Sequence, residues 1–543
     1  MIIPFAPRTL PVATGLAAAL GGAIVAWHYH QLGLTLTHYD ARGHLVVARR
    51  IIDSITPGWQ QVGAVWLPLP HLLNAIPVQI DLFYRTGASG VAISIAAYAI
   101  ATGAISWIVL SLTESAAAAA AGAAVFALNP NVLYLQSTPM TEPLLLATTT
   151  VAVAMLIAWC QAALKGCATT DTGANERSAG LQACHVGPAS AGPGEVRLKA
   201  DATAIFSPGL QACHVGWAFA LACLTRYEAW PVTASALMAA AWTRRRRGQP
   251  LSSAVCDVAA IALYPAIAVV GFTIFSRVVI GEWFVAGGFF VRENKALDNP
   301  LAAAAEIGWG ARMLSGNLLV WAGAAGGALA AGFGLLIRRR ADALLALSLL
   351  AMAVLPWAAF VKGHPFRIRY MVPLMAFEAI GAGIAAGLPP DRRVRAACAI
   401  AVLAIAGYEL RPLDASAPMV VEAQWDRPNA PVRERVTACL GGRVPGEKIM
   451  ASMGSLGHYM QDASRSGLAV RDFLHEGNGD IWLAALEHPQ PFAAWILIEE
   501  KAEGGDMLAH IARERPVFLE GYERVCEGAG LALYRRREDG RSQ

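Results

Sequence analysis

Ala88-Ser-Gly-Val-Ala-Ile-Ser-Ile-Ala-Ala-Tyr-Ala-Ile-Ala-Thr-Gly-Ala-Ile-Ser-Trp-Ile-Val-Leu-Ser111 runs without one charged side chain. A hydrocarbon core about 30 Å thick takes roughly 20 apolar residues per helix, so this stretch predicts a membrane span. Working outward, the same pattern recurs at residues 9–27, 116–129, 143–160, 252–276, 314–337, 342–361, 370–388 and 396–411. Residues 217–243 are too long for one simple span and break at Thr225-Arg-Tyr-Glu-Ala-Trp-Pro231. That break predicts two short helices meeting at the far membrane face. The expectation is a polytopic α-helical membrane protein with about eleven spans.

Composition agrees. Of 543 residues, 56% are hydrophobic and 15% charged, with a mean hydropathy of +0.45. A soluble enzyme carries about 25% charged residues, so that class is excluded. The net charge of +4 is small, and its basic residues fall in short runs, which reads as membrane topology and not as nucleic-acid binding. The nine cysteines contain no CxxC spacing, so no cysteine framework dictates the fold. With the N-terminus inside, Arg244–Arg247, Arg338–Arg340 and Asp391-Arg-Arg-Val-Arg395 all face the cytoplasm, as the positive-inside rule requires. The first segment lacks a small-residue cleavage site and reads as a retained helix.

Two regions depart from the membrane pattern. Residues 161–216 are polar and repeat Gly180-Leu-Gln-Ala-Cys-His-Val-Gly187 as Gly209-Leu-Gln-Ala-Cys-His-Val-Gly216. Cys184, His185, Cys213 and His214 are zinc-competent residue types. An identical eight-residue copy reads better as a duplicated, disordered cytoplasmic insertion than as a ligand geometry. From residue 412 the spans stop. Lys448–Met453, Ala493–Ile498 and Leu531–Tyr534 read as strands and 506–520 as a helix. Residues 412–543 are therefore expected to form a small extracytoplasmic α/β domain behind a membrane domain of residues 1–411. Cys439 and Cys526 both lie in it, where a disulfide and a free pair are equally compatible with the sequence.

The chemistry-bearing residues lie in the exterior loops. The first, residues 28–87, contains Thr37-His-Tyr-Asp-Ala-Arg-Gly-His44. Asp40 precedes apolar positions Leu45, Ala48, Ile52 and Ile55, a spacing that predicts an interfacial amphipathic helix ended by Pro57-Gly58. Asp40 as a helix N-cap is the bland reading. It does not account for His38, Arg42 and His44. Trp66 and His71 follow in an apolar re-entry segment. The second exterior loop, Asn129–Pro143, ends with Glu142 directly before a span. The third is the break carrying Arg226 and Glu228, where a structural ion pair stands beside a functional role. The fourth, Val361–Pro373, concentrates Lys362, His364, Arg367 and Arg369 on the outer face. Cations that defy the positive-inside trend point to an anion, and a lipid phosphate is at hand.

These motifs carry a resemblance. An acid after the first span, Thr141-Glu-Pro143, Leu224-Thr-Arg-Tyr-Glu228 and Arg369-Tyr-Met-Val-Pro373 occur in that order. Over residues 9–411 the chain resembles the GT-C glycosyltransferases of the protein O-mannosyltransferase and aminoarabinose-transferase type, glycosyltransferase family 39-like. The region after 411 resembles that superfamily's variable C-terminal domains. The resemblance implies transfer of a monosaccharide from a polyprenyl phosphate donor, on the outer face of the cytoplasmic membrane, with inversion. Asp40 would be the general base. Glu142 would position the acceptor or assist Asp40. Arg369, Arg367 and Lys362 would hold the donor phosphate, with Arg226 as a second phosphate ligand. His38, Tyr39, His44, Glu228, His364 and Tyr370 would line the substrate pocket. The family's first loop usually carries a second acid beside the aspartate, whereas Ala41-Arg42 follows here. No cofactor and no obligatory divalent metal are expected.

The alternative is a polytopic lipid or glycan transporter or flippase. Transporters commonly show repeated halves and midplane charges. This chain shows no such repeat, and its charges sit in loops at one face, which favours surface chemistry. A non-catalytic anchor would have no use for Asp40, Glu142 and the Arg367/Arg369 pair together. The acceptor remains open among a glycan, a lipid and a protein.

Overall fold

A computed structural model of the chain describes residues 9–168, 211–283 and 294–537. Among the described residues, seven helices are long and apolar enough to cross a membrane: Leu10–Gln31, Ala88–Thr113, Glu142–Ala162, Leu251–Ile280, Asn317–Leu336, Arg338–Val361 and Ile368–Gly387. The other expected spans are helices too, but differ in kind. Ala116–Ala127 and Ala212–Cys223 are short, while Ala229–Arg246 and Arg392–Glu409 carry arginines in their terminal turns. The expected pair around Arg226 is present, with the break at residues 224–228.

Small residues set the closest helix contact. Asn317–Leu336 and Leu374–Gly387 cross backbone to backbone, and a Cβ on Gly326 would stand 1.7 Å from the Gly381 carbonyl oxygen. Apolar lipid gives no hydrophobic drive between helices, so such close packing must hold them together. At one end of this bundle the three arginine runs meet. Arg247 donates to Cys160 O (2.8 Å) and pairs with Asp342 (3.2 Å). Arg340 donates to Leu112 O (2.7 Å) and Arg395 to Thr113 O (3.2 Å). Arg340 and Arg395 thus satisfy carbonyls left open at the C-terminus of Ala88–Thr113 and complement its dipole.

The C-terminal region forms a mixed five-stranded sheet in the order β2-β1-β3-β5-β4. The strands are β1 Ile449–Ala451, β2 Phe473–Leu474, β3 Trp495–Glu499, β4 Tyr522–Gly528 and β5 Leu531–Arg536. Side chains alternate across it. Ile449, Ala451, Trp495, Leu497 and Leu533 face one core; Met450, Ile496, Ile498 and Tyr534 face another. The expected strand at 448–453 stops at Ala451 because Met453 opens the Met453–Ala463 helix. The expected helix at 506–520 is Met507–Glu514 followed by a 3-10 turn, Pro516–Leu519. Cys439 and Cys526 form a disulfide, joining the end of the Ala430–Ala438 helix to β4.

The first exterior loop differs most from expectation. Its helix spans Tyr39–Arg50, ending well before Pro57. It does not present an apolar stripe and a solvated face: Ala41, Leu45, Val46 and Ala48 are all fully buried. Leu45, Val46 and Ala48 share one core with Leu456, Tyr459 and Met460 of the C-terminal region. The interfacial reading is therefore corrected. The helix is clasped by protein because its polar side is also engaged: Arg42 pairs with Asp462, and Arg49 with Asp53 (2.8 Å) and Asp81 (2.7 Å). Further ties run from Gln461 to Tyr84 O (2.9 Å) and from Gln61 to Gly477 O (2.6 Å). The loop and the C-terminal region thus pack as one layer over the bundle. Of the proposed insertion, Cys184 and His185 lie outside the described residues. Cys213 and His214 do not sit in a disordered stretch but in the first turn of the Ala212–Cys223 helix.

Candidate active site

Asp40 is positioned by its helix, though not as the cap. The cap is His38, whose Nδ1 accepts from the Asp40 backbone N–H (3.2 Å), leaving Asp40 in the first turn, where a carboxylate complements the dipole. An accepting Nδ1 places the ring proton of neutral His38 on Nε2, which faces Glu422 Oε1 at 4.0 Å. Burial pushes the His38 pKa down to about 4, with Arg369 and Arg367 acting in the same direction and Glu422 opposing them. The ring is neutral at neutral pH. Tyr39 stacks on His38 (5.3 Å) and meets Trp425 and His458 edge-on.

The Asp40 carboxylate is buried against the guanidinium of Arg369, which comes from the 3-10 turn Ile368–Met371. Arg369 lies over the Tyr370 ring (5.4 Å to the centroid), and its Nε has no hydrogen-bond partner. The second pair lies alongside. Arg226 Nη1 donates to Glu142 Oε1 (3.0 Å) and Thr141 Oγ1 (2.9 Å), and Nη2 to Glu228 Oε1 (2.8 Å). Glu142 is fully buried, with Oε2 unpartnered. The ion pair considered at the helix break is therefore real and extends across 84 residues to Glu142. Two carboxylates on one guanidinium leave Arg226 less attraction for a phosphate than Arg369 has.

The remaining expected residues divide. His44 stands one helical turn after Asp40 and packs against Trp66, the ring centroids 4.1 Å apart and the planes tilted by 45°. Arg367 is half-buried at the start of the 3-10 turn, within electrostatic reach of His38. Tyr370 contacts His364 (ring centroids 5.4 Å) and lies within electrostatic reach of Arg226. Lys362 is exposed at the end of the Val354–Val361 helix, and its side chain makes no ion pair or hydrogen bond among the described residues. It borders the cluster without joining it.

Several participants were not anticipated. Glu422 follows the last span and faces His38. The Tyr134 hydroxyl lies 3.0 Å from both Thr37 Oγ1 and Leu34 O, holding the turn that leads into the Asp40 helix. Asn129 and Asn131 both donate to Leu314 O (3.0 and 2.8 Å), and Asn131 accepts from Met419 N (2.9 Å). The Asn129-Pro-Asn131 motif was the available signal for this knot, since two amides beside a span need partners. Among the described residues, no three His, Cys, Asp or Glu side chains converge as a metal site. Asp40 and Glu142 are each committed to a guanidinium.

No protein-family model matches the chain, and no curated protein matches its sequence. Solved structures do. The crystal structure of ArnT from Cupriavidus metallidurans in the apo state covers 96% of this chain and 98% of its own, with TM-score 0.52 and 14% identity. The same protein bound to undecaprenyl phosphate covers 95% and 97%, again with TM-score 0.52 and 14% identity. The chain has the GT-C fold. Within it, Asp40, Arg369, Glu142 and Arg226 gather where the bundle meets the C-terminal layer, at the end opposite the arginine runs. A GT-C fold with paired charges buried at that junction can hold an anion and a proton acceptor side by side.

Proposed function

We propose that this protein is an integral membrane glycosyltransferase that moves a hexosyl or pentosyl unit from a polyprenyl phosphate donor to an acceptor at the outer face of the cytoplasmic membrane. The buried Asp40–Arg369 pair within a GT-C fold carries this reading. The ArnT structure bound to undecaprenyl phosphate supports the donor class.

In the proposed reaction the acceptor hydroxyl oxygen attacks the anomeric carbon, and the bond from that carbon to the phosphate oxygen breaks. The proton passes to Asp40, the electron pair leaves on polyprenyl phosphate, and the anomeric configuration inverts. Arg369 links the two events. In the resting protein its charge is spent on Asp40; an arriving phosphate draws that charge and frees the carboxylate to accept the proton. The unpartnered Nε of Arg369 and the nearby Arg367 supply donors for the phosphate. The open Oε2 of Glu142 is placed to accept from the acceptor hydroxyl. In this reading the arginine runs are cytoplasmic and the C-terminal region is outside, which reporter fusions at residue 537 would check.

Asp40→Asn keeps the shape but cannot take a proton. With purified protein in nanodiscs and polyprenyl phosphate mannose or glucose as donor, transfer should fall by about 10²–10⁴-fold. Transfer at the wild-type rate sinks the assignment. Arg369→Ala should raise the donor KM and lower kcat by about 10²-fold or more; an unchanged donor requirement removes it from the phosphate site.

A further inference from the structure

Beside the proposed reaction centre lies a cavity of about 20 Å³, lined by His44, His71, Asn74, Ser94, Met140 and Thr141 among others. That is room for one oxygen atom and its protons, provided polar partners are present. They are present, and their roles can be worked out. A carbonyl only accepts, so His71 Nδ1–H donates to Leu67 O (3.1 Å). His71 Nε2 must then accept, and His44 Nδ1–H donates to it across 3.1 Å. This relay leaves His44 Nε2 with a lone pair and, among the described residues, no partner. Burial holds both rings neutral, His71 down to about 3 and His44 well below its ordinary value. Asn74 is buried and its Oδ1 has no hydrogen-bond partner. Thr141 Oγ1 accepts from Arg226 (2.9 Å), so its own O–H remains free to donate.

The pocket therefore offers two acceptors and one donor to a single small group. An ether or carbonyl oxygen could not satisfy it, because neither donates. A water satisfies all three, and a hydroxyl accepts from Thr141 while donating to one of the two acceptors, which is one more bond than an ether or carbonyl can make. The pocket is one helical turn from Asp40 through His44 and one residue from Glu142 through Thr141. We propose that this cavity is a hydroxyl subsite: it holds a water at rest and admits one substrate hydroxyl during transfer, with His71 a positioning residue that fixes His44 as acceptor. The assignment rests on the glycosyltransferase reading. The hydroxyl belongs either to the donor sugar or to the acceptor, and these are separable.

The test compares each substrate with its monodeoxy analogues, using full-length protein in nanodiscs and whichever polyprenyl phosphate monosaccharide the wild type turns over. One deoxy analogue should lose roughly 10–100-fold in kcat/KM, because it leaves buried acceptors unpaired. In Asn74→Leu and in His71→Phe that discrimination should shrink toward unity, the parent substrate falling to the level of its analogue. Loss among donor analogues assigns the hydroxyl to the transferred sugar; loss among acceptor analogues assigns it to the acceptor. Discrimination unchanged in both variants overturns the subsite while leaving the enzyme reading intact. A wild type inert with every such donor overturns the enzyme reading and the subsite with it. Should either variant fail to fold, a high-resolution experimental structure of the wild type decides. An ordered water within hydrogen-bond reach of Asn74 and His44 supports the subsite, and a dry cavity overturns it.

Discussion

The two ends of the helix bundle give most of their arginines different partners. At the junction with the C-terminal layer, Arg369 is buried and Arg226 half-buried, and both are bound to buried carboxylates, Asp40 and Glu142. At the other end, Arg246, Arg338, Arg340 and Arg395 donate chiefly to backbone carbonyls, as in Arg246 to Leu335 O (2.5 Å) and Arg338 to Arg246 O (2.7 Å), with the buried Arg247–Asp342 pair as an exception. An exposed guanidinium such as that of Arg338 keeps its water and meets only the partial charge of a carbonyl. One sealed between carboxylates has given up its water and depends on its partners. The first arrangement anchors helices; the second is tolerated where charge has work to do. Substitution should therefore be graded by burial and partner, not by residue type.

The largest effect is expected at Arg226. Arg226→Leu leaves Glu142, fully buried, and Glu228 without a counter-charge, and removing one partner of a buried pair costs about 3–5 kcal/mol. Thermal unfolding in detergent should show it, and the double variant Arg226→Leu/Glu142→Leu should recover part of the loss. A single variant as stable as wild type would mean that the cluster is hydrated, and the contrast between the ends would fail.

How this end is built was only partly legible in the sequence. Seven of the expected spans were, because long charge-free runs have one physical meaning at that length. Asp40, Glu142, Arg226 and Arg369 were visible as charges where charges are costly. Their partners were not: Glu142 and Arg226 are 84 residues apart, and nothing local says that one guanidinium takes two acids. Glu422 and Asp462 were hidden in a region of ordinary soluble composition, where a carboxylate attracts no notice. The Tyr39–Arg50 helix was misread as interfacial because Arg42 and Arg49 look like a solvated face until Asp462, Asp53 and Asp81 are seen to take them. His38 as cap was missed because the usual capping residues are Ser, Thr, Asp and Asn.

A middle-sized effect should separate the ends by pH. His38 goes from an ordinary 6.5 to about 4 in the folded protein because it is buried. The unfolded chain then binds a proton that the folded one refuses. Its contribution to stability is complete above about pH 6.5 and is lost progressively as pH falls toward 4, about 3 kcal/mol in all. His38→Asn keeps an oxygen to accept from the Asp40 N–H but does not titrate in this range. Wild type should therefore lose stability relative to His38→Asn as the pH is lowered from 7 to 4, in parallel unfolding series. Parallel curves would place His38 in contact with water. The arginine end should contribute no such difference, since guanidinium groups keep their charge throughout.

The smallest effect belongs to that end. Arg338 is exposed and its Nε donates to a single backbone carbonyl, Arg246 O. Arg338→Ala should cost less than about 1 kcal/mol, the usual scale for an exposed cation at a helix terminus. The same substitution removes one of three adjacent positive charges that bias orientation during insertion, so its consequence should appear in the fraction of chains correctly inserted, not in the unfolding of those that are. Protease accessibility of the C-terminal region measures the first, and thermal unfolding the second. A loss of several kcal/mol in unfolding would show that the arginine end is as desolvated as the Asp40 end. The two would then differ only in the partners of their arginines, and not in how far those arginines have left water.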